Sequence, residues 1–100
     1  MAKYTSIKPI NSDSISILDT SARAHIKMTS LYLKGRFGEP TLKYKATEKV
    51  DSALEWVFVD KENKPFTVYV IKGQASIGAL EVAKDIEVQD FIFWVSNKKW

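Results

Sequence analysis

The stretch that most constrains the fold is residues 52–72, where two runs of β-forming residues flank a short polar connection. The runs Ala53–Val59 and Phe66–Ile71 are rich in aromatic and β-branched side chains, which suit a pleated, half-buried surface. Between them, Asp60–Pro65 is polar apart from its proline, a length typical of a hairpin loop of about four or five residues built on a type I turn. The pattern predicts an antiparallel hairpin whose second strand begins near Pro65, where a missing N–H is tolerated.

Alternation of side chains within the first run assigns one of its faces to a core. Successive residues of a strand point to opposite sides of the sheet, so Leu54, Trp56 and Phe58 share one face. The other face is mostly small or β-branched and carries a single charge, Glu55. We interpret Glu55 as a cross-strand partner of a lysine or threonine on a neighbouring strand.

Weaker patterns precede the hairpin. Residues 22–28 alternate apolar and polar side chains, which favours a strand, and a helix running from Ser21 to Phe37 is the alternative. A strand there leaves Thr29-Ser30 as the N-cap of a short helix over Ser30–Phe37, which Gly38 would end in the left-handed conformation.

The ends of the chain are predicted from local composition alone. Residues 1–13 suggest an irregular lead-in or an edge strand, and residues 14–18 a short strand. An extended piece is predicted over Leu42–Lys45, and Gly73–Gln89 is interpreted as a short helix or an excursion loop. Alternation of aromatic residues predicts a last strand over Asp90–Ser96.

Length and composition predict a single globular domain spanning residues 1–100. The hydrophobic share of 45% and the charged share of 27% are those of an ordinary folded protein. We therefore expect an α+β fold: a small antiparallel β-sheet of about four or five strands with one or two short helices packed on one face.

Several classes of protein are excluded or disfavoured by composition. The chain has no cysteine, which excludes disulfide frameworks and thiolate metal sites. It has no apolar run of the roughly 18 residues that a membrane span needs, so we expect no membrane partner. A net charge of +3 argues against a DNA mimic, which needs a strongly acidic surface.

No constellation of residues indicates catalysis, a metal site or a cofactor. His25 is the only histidine, and it lies between Arg23 and Lys27 in an alternating set that is typical of the solvated face of a strand. No cluster of histidine and carboxylate residues has metal-ligand spacing, and no glycine-rich loop follows a strand. We expect no catalytic residues and no enzyme.

Binding is the function that the residues favour. Basic side chains gather near aromatic ones after the predicted helix, a combination that suits a nucleotide phosphate and base. Aromatic residues of the strands also exceed what one face of a small sheet can hide, unless residues 1–18 and 74–89 cover them. The candidate ligand- or partner-binding residues are Arg36, Lys43, Tyr44, Lys45, Trp56, Tyr69 and Trp94.

Three segments follow one another in an order that carries a resemblance. They read Leu33…Phe37-Gly38-Glu39-Pro40, then Lys49-Val50-Asp51…Glu55-Trp56, then Thr67-Val68-Tyr69-Val70-Ile71-Lys72. In this order and spacing the chain resembles small uncharacterised bacteriophage accessory proteins with a Phe-Gly-x-Pro helix end followed by a Trp-containing β-hairpin. It departs from them at Asn63-Lys64 and at Phe91–Ser96, so an activity tied to those positions does not carry over. The resemblance implies a phage origin and an accessory role in the host cytoplasm, and it implies no chemistry.

These observations lead us to expect a non-enzymatic phage accessory protein that binds and inhibits a host target, either an anti-phage defence or a host-takeover protein. The expected partner is a host bacterial protein or a second copy in a homo-oligomer. The alternatives are an oligomeric sponge that sequesters a nucleotide immune signal, and a weak single-stranded nucleic-acid binder. Duplex DNA is not expected as a partner, because acidic residues dilute the basic ones.

Overall fold

The computed structural model describes residues 4–6, 20–46, 48 and 52–96. These residues form six strands and two helices. They are β1 (Thr5–Ser6), β2 (Thr20–Ile26), α1 (Ser30–Phe37), β3 (Leu42–Tyr44), β4 (Ala53–Val59), β5 (Pro65–Ile71), β6 (Gln74–Leu80) and α2 (Asp85–Ser96). The expected α+β class is confirmed, while the strand count exceeds the predicted four or five.

All strand pairs of the sheet are antiparallel, and its order is β1-β4-β5-β6-β2. Strand β3 also pairs with β4, on the edge that β1 occupies further along. The β4–β5–β6 meander forms the centre of the sheet because short hairpin turns join its consecutive strands. Among the described strands, β2 is the last one at the opposite edge.

The predicted hairpin is confirmed as β4 and β5, with Val59 paired to Pro65. Its loop is organised by Asp60, whose Oδ1 accepts the N–H groups of Glu62 at 2.8 Å and Lys64 at 2.9 Å. Asn63 takes the left-handed conformation there, at φ 63°. An aspartate that bonds the backbone two residues on is an established turn device, and it fixes the loop that this sequence predicts.

The core lies between one face of the sheet and the two helices. As the alternation predicted, Trp56 and Phe58 of β4 are buried on this face, and Leu54 packs against them. The helices contribute Leu33 from α1 and a buried stripe from α2. The buried cluster consists of Tyr4, Leu33, Trp56, Phe58, Phe66, Val68, Val70, Ala75, Ile77, Ala79, Ala83, Val88, Phe91 and Val95.

Helix α1 has the bounds and the N-cap that the sequence predicts. Thr29 is its N-cap, and the Thr29 hydroxyl accepts the N–H of Tyr32 at 3.1 Å. Gly38 follows the last turn and donates its N–H to the carbonyl of Lys34; its φ is positive at 84°, but its ψ of −156° differs from the predicted left-handed helical conformation. Because β2 runs from Thr20 to Ile26, the strand interpretation is confirmed for residues 22–26, while residues 27 and 28 lie beyond the strand and the longer helix is wrong.

Two predictions for the C-terminal third are wrong. Residues 90–96 belong to helix α2 and form no strand, and residues 73–89 contain strand β6 as well as the start of that helix. The β5–β6 turn is tight: Lys72 and Gly73 both have positive φ, and Ile71 pairs directly with Gln74. Tertiary packing overrides the β propensity of the aromatic residues in α2, because a helix places its buried side chains on the sheet.

Predictions for the N-terminus are tested only in part. The lead-in contains β1 at an edge of the sheet, while the strand predicted over residues 14–18 lies outside the described residues. In the part of the chain that the structure describes, neither helix has the length and hydrophobicity needed to cross a bilayer.

Candidate functional site

The structure does not bring the seven predicted binding residues together. Arg36 and Trp94 meet where α1 contacts α2, whereas Tyr44 and Tyr69 lie together on the opposite face of the sheet. Lys43 and Lys45 are exposed near β3, and Lys43 forms an ion pair with Glu39 at 3.0 Å. The seven residues therefore do not line one cleft; Arg36 and Trp94 among them share a cavity of about 370 Å³.

Trp56 lies in the core and is not accessible to a binding partner. Its side chain is 1% exposed, and its indole N–H donates to the carbonyl of Gly38 at 3.0 Å. Phe58, Phe66 and Phe91 are also buried, which corrects the expectation of a large surplus of exposed rings. The reason is α2, which covers the sheet with residues that the sequence pattern had assigned to another strand.

Arg36 lies between the two helices and connects them. Its guanidinium stacks over the rings of Phe37 at 4.9 Å and Trp94 at 5.3 Å. It also donates to the carbonyl of Val95 at 2.5 Å, in the last described turn of α2. Tyr32 donates its hydroxyl to the same carbonyl at 3.1 Å.

Replacing Arg36 by alanine is expected to lower the free energy of unfolding by about 1–2 kcal/mol, through the loss of a charge-assisted hydrogen bond and of stacking. Arg36→Lys should recover only part of this, because an ammonium cannot stack as a flat guanidinium does. Urea denaturation of both variants checks the prediction. If alanine leaves stability unchanged, this arginine does not hold the helices together.

A polar group lies on the face of the sheet opposite the core. Tyr44 donates its hydroxyl to the Glu55 carboxylate at 2.7 Å, and its ring lies 6.0 Å from that of Tyr69. Glu55 is only 8% exposed, so its carboxylate needs a partner within the sheet, and that partner is Tyr44 and not the predicted lysine or threonine. Burial, and next the hydrogen bond to Glu55, raise the pKa of Tyr44 above its usual value. The Tyr44 hydroxyl and the Glu55 carboxylate are hydrogen-bonded to each other within the sheet, which is typical of a structural pair.

The outward side of α2 carries the exposed apolar surface that the sequence analysis missed. Ile86 and Phe93 are 75% and 71% exposed, and they lie seven residues apart on one side of the helix, about 10 Å along its axis. The signal was available in the sequence. Val88, Phe91 and Val95 have the 3–4 spacing of a buried helical stripe, which turns Ile86 and Phe93 outward.

Arginine residues hold both ends of this helix. At the start of α2, Arg23 donates to the carbonyls of Leu80 at 2.7 Å and Ala83 at 3.0 Å and pairs with Asp85. At its end, Arg36 binds the carbonyl of Val95. A helix fixed at both ends presents its outward side chains on a rigid support.

An acidic groove of about 390 Å³ runs beside the first half of α2. Its charged lining comes from the β4–β5 loop and from α2. The acidic side chains are Asp60, Glu62, Glu87 and Asp90, with Lys61 as the basic one. Ile86 also lines the groove, so the exposed apolar surface of α2 and the acidic groove are continuous.

Acidic side chains that line this groove are hydrogen-bonded or ion-paired within the chain. Lys64 donates to Glu87 at 2.8 Å and lies 3.7 Å from Glu62. The bond from Lys64, followed by that from the backbone of Lys84, lowers the pKa of the Glu87 carboxyl. Tyr4 donates its hydroxyl to Asp90 at 2.7 Å. The carboxylates of Asp60, Glu62 and Glu87 are close enough to share a metal ion, yet the ammonium of Lys64 already lies among them.

Comparison of the chain with protein-family models, with curated proteins and with solved structures finds no match. The surface formed by Ile86, Phe93 and the acidic groove, here named the α2 surface, is therefore judged by its own chemistry. It offers apolar anchors beside carboxylates, which suits a partner that carries both apolar and cationic side chains.

Proposed function

We propose that this chain is a non-enzymatic phage accessory protein that binds and inhibits a host protein through the α2 surface. The observation that carries the proposal is the exposure of Ile86 and Phe93 beside the acidic groove. Large apolar side chains grouped on a rigid helix are typical anchors of protein–protein contacts, since burying them on a partner removes apolar surface from water.

The charged side chains of the acidic groove indicate which kind of partner would bind there. Four carboxylates and one lysine line the groove, and Lys64 pairs with two of those carboxylates, Glu62 and Glu87, although the whole chain has a net charge of +3. A local field that opposes the overall charge selects for a basic segment of the partner and speeds its encounter. The preferred occupant is a segment that places leucine- or phenylalanine-like anchors on α2 and an arginine or lysine in the groove.

The size of the α2 surface suits a short segment of a partner protein better than a broad, flat protein surface. Helix α2 has 12 residues and is therefore about 18 Å long. A stable complex needs on the order of 1,000 Å² or more of buried surface in total. An amphipathic segment lying along α2 and turning into the groove would approach that area through helix and groove together.

Selection from a random peptide library displayed on yeast, with the purified protein as bait, tests this proposal. We expect enriched peptides that combine basic and large apolar residues. Phe93→Ser and Ile86→Ser should each weaken binding of a selected peptide about tenfold or more, which corresponds to about 1.4 kcal/mol. Leu31→Ser is the matched control, because Leu31 is equally apolar and 80% exposed but lies on α1. That variant should bind as the wild type does.

Three outcomes would contradict the proposal. The first is a selection without enrichment, and the second is enriched peptides that bind all three variants equally. The third is a dimer in light scattering that Phe93→Ser converts to a monomer, since a second copy would then occupy the surface. Inhibition is tested by expression in bacteria: wild-type protein and Leu31→Ser should produce the phenotype that Phe93→Ser lacks.

A further inference from the structure

The side chain of Lys64 pairs with two of the acidic side chains that line the acidic groove. Its ammonium donates a hydrogen bond to Oε2 of Glu87 at 2.8 Å and lies 3.7 Å from Oε1 of Glu62. Both carboxylates line the groove, one from α2 and one from the β4–β5 loop. A cation that a partner brings to the groove therefore meets carboxylates that already have an ammonium as their counter-ion.

The ion pair between Lys64 and Glu87 persists at neutral pH. Both side chains are half-buried, and a partly buried pair is screened by salt less than an exposed one. The hydrogen bond to Glu87 raises the pKa of the Lys64 ammonium above its ordinary value, so this group stays charged. The chain's own lysine thus competes continuously for these carboxylates.

The carboxylates of the groove do not depend on this ammonium for their positions. Oε1 of Glu87 accepts the backbone N–H of Lys84 at 3.0 Å. In the loop, Oδ1 of Asp60 accepts the backbone N–H groups of Glu62 and Lys64, and the Asp60 N–H donates to the Lys64 carbonyl at 3.1 Å. Removing the ammonium should therefore change the charge at the groove while its carboxylates stay in place.

The type of cation that a partner carries decides how well it competes with Lys64. A lysine of the partner would only replace one ammonium by another, so the exchange gains little. An arginine has five N–H donors in a planar fork and can bind two carboxylates at once. Carboxylate oxygens of Asp60, Glu62 and Glu87 lie within 4.8 Å of one another, which is close enough for one guanidinium to reach two of them.

We propose that Lys64 is an internal competitor that makes the acidic groove prefer an arginine over a lysine in the segment that binds the α2 surface. The inference rests on the proposed function, and it narrows the partner from a basic segment to one whose cation is an arginine. Lys64 makes no contact with the partner in this account. It acts through its pairing with Glu62 and Glu87.

Binding of two peptides to the full chain tests this preference. The peptides share one selected basic and apolar sequence, with every basic residue an arginine in the first and a lysine in the second. The wild type should bind the arginine peptide about tenfold more tightly. In Lys64→Met the preference should fall to about threefold or less, because the lysine peptide no longer competes with an ammonium. Lys64→Gln should behave in the same way, since it too lacks the charge.

Lys43→Met is the matched control. Lys43 is also paired with a glutamate, Glu39, at 3.0 Å, but it lies on β3, outside the acidic groove. The variant loses the same charge and an ion pair of the same kind, and it should keep the tenfold preference of the wild type. A preference that falls equally in Lys43→Met and Lys64→Met would reveal an effect of net charge alone and would overturn the inference.

Titration with CaCl₂ alone separates this inference from the proposed function. Ca²⁺ binds carboxylate oxygens and needs no apolar anchor on α2. Amide chemical shifts of residues 60–64 and 87 should report binding to Lys64→Met at about millimolar Ca²⁺, and binding to the wild type and Lys43→Met about fivefold weaker or less.

Equal Ca²⁺ binding by Lys64→Met and the wild type would overturn the inference. So would a wild type that binds the two peptides equally, or a preference for arginine that Lys64→Met retains in full. If the peptide library yields no binder, the proposed function fails, and the Ca²⁺ comparison still decides whether Lys64 competes with other cations for the groove.

Discussion

Replacing Phe91 by alanine is expected to lower the free energy of unfolding by about 3–5 kcal/mol, the cost of removing a large ring from a packed core. Phe91 is fully buried, and its ring centroid lies within 5.1–5.5 Å of those of Tyr4, Phe58 and Phe66. Such a variant loses both buried area and several ring contacts. Urea denaturation followed by tryptophan fluorescence measures the loss.

Phe93→Ala is the matched control for this prediction. It removes the same side chain two positions along the helix, where the ring is 71% exposed, so stability should stay within about 0.5 kcal/mol. In a strand the two rings would share one face, and their replacements would have similar effects. Similar losses in the two variants would therefore contradict the helix and with it the outward position of Phe93.

Replacing Gly78 by alanine is expected to destabilise the protein by about 2–3 kcal/mol, a typical cost of overpacking. Gly78 of β6 pairs with Thr67 of β5, and a Cβ at this glycine would lie 2.4 Å from the Thr67 hydroxyl oxygen. Thr67 is itself buried, at 1% exposure, so its side chain has little room to turn away. The glycine is required here by a close side chain and not by its backbone conformation.

A double-mutant cycle isolates the contact between these two residues. In a Thr67→Ala background the clashing oxygen is gone, and Gly78→Ala should then cost less than about 0.5 kcal/mol. In a Thr67→Val background a methyl group replaces the oxygen, so the full cost should remain. An equal cost of Gly78→Ala in all three backgrounds would mean that the close approach does not determine the choice of glycine.

Where local signals agree, the sequence alone sufficed to predict the structure. The hairpin of β4 and β5 has period-two alternation, aromatic residues and a polar loop, and Asp60 fixes the turn as its position suggests. Helix α1 has the predicted threonine N-cap, and it ends at the predicted glycine, which has a positive φ. In these segments propensity, pattern and turn chemistry all point to the same element.

Where local sequence patterns and tertiary packing favour different structures, the prediction from sequence was wrong. Residues 91–95 combine high β propensity with alternation, yet they fold as a helix because the Val88, Phe91 and Val95 stripe can cover the sheet. Strand β6 is built from small residues of weak propensity, and only its pairing with β5 and β2 explains it. Both errors arise from contacts distant in the chain, which a local window cannot contain.

The site was predicted less well than the fold, for the same reason. Trp56, Trp94 and Arg36 were candidates because their chemistry suits binding, but their neighbours in space use that chemistry internally. Phe93 was counted among the rings of a supposed strand, so its isolation on the outside of a helix was not visible. Whether a side chain is exposed depends on whether its segment is a strand or a helix. Because residues 90–96 were predicted as a strand, the exposed surface of α2 was not predicted.

The most direct test of the α2 surface is a titration of the ¹⁵N-labelled protein with a selected basic and apolar peptide, followed by amide chemical shifts. We predict the largest shifts in residues 60–64 and 85–93, and their loss in Phe93→Ser but not in Leu31→Ser. Shifts confined to β2 or to α1, or no shifts at saturating peptide, would contradict the proposed binding surface.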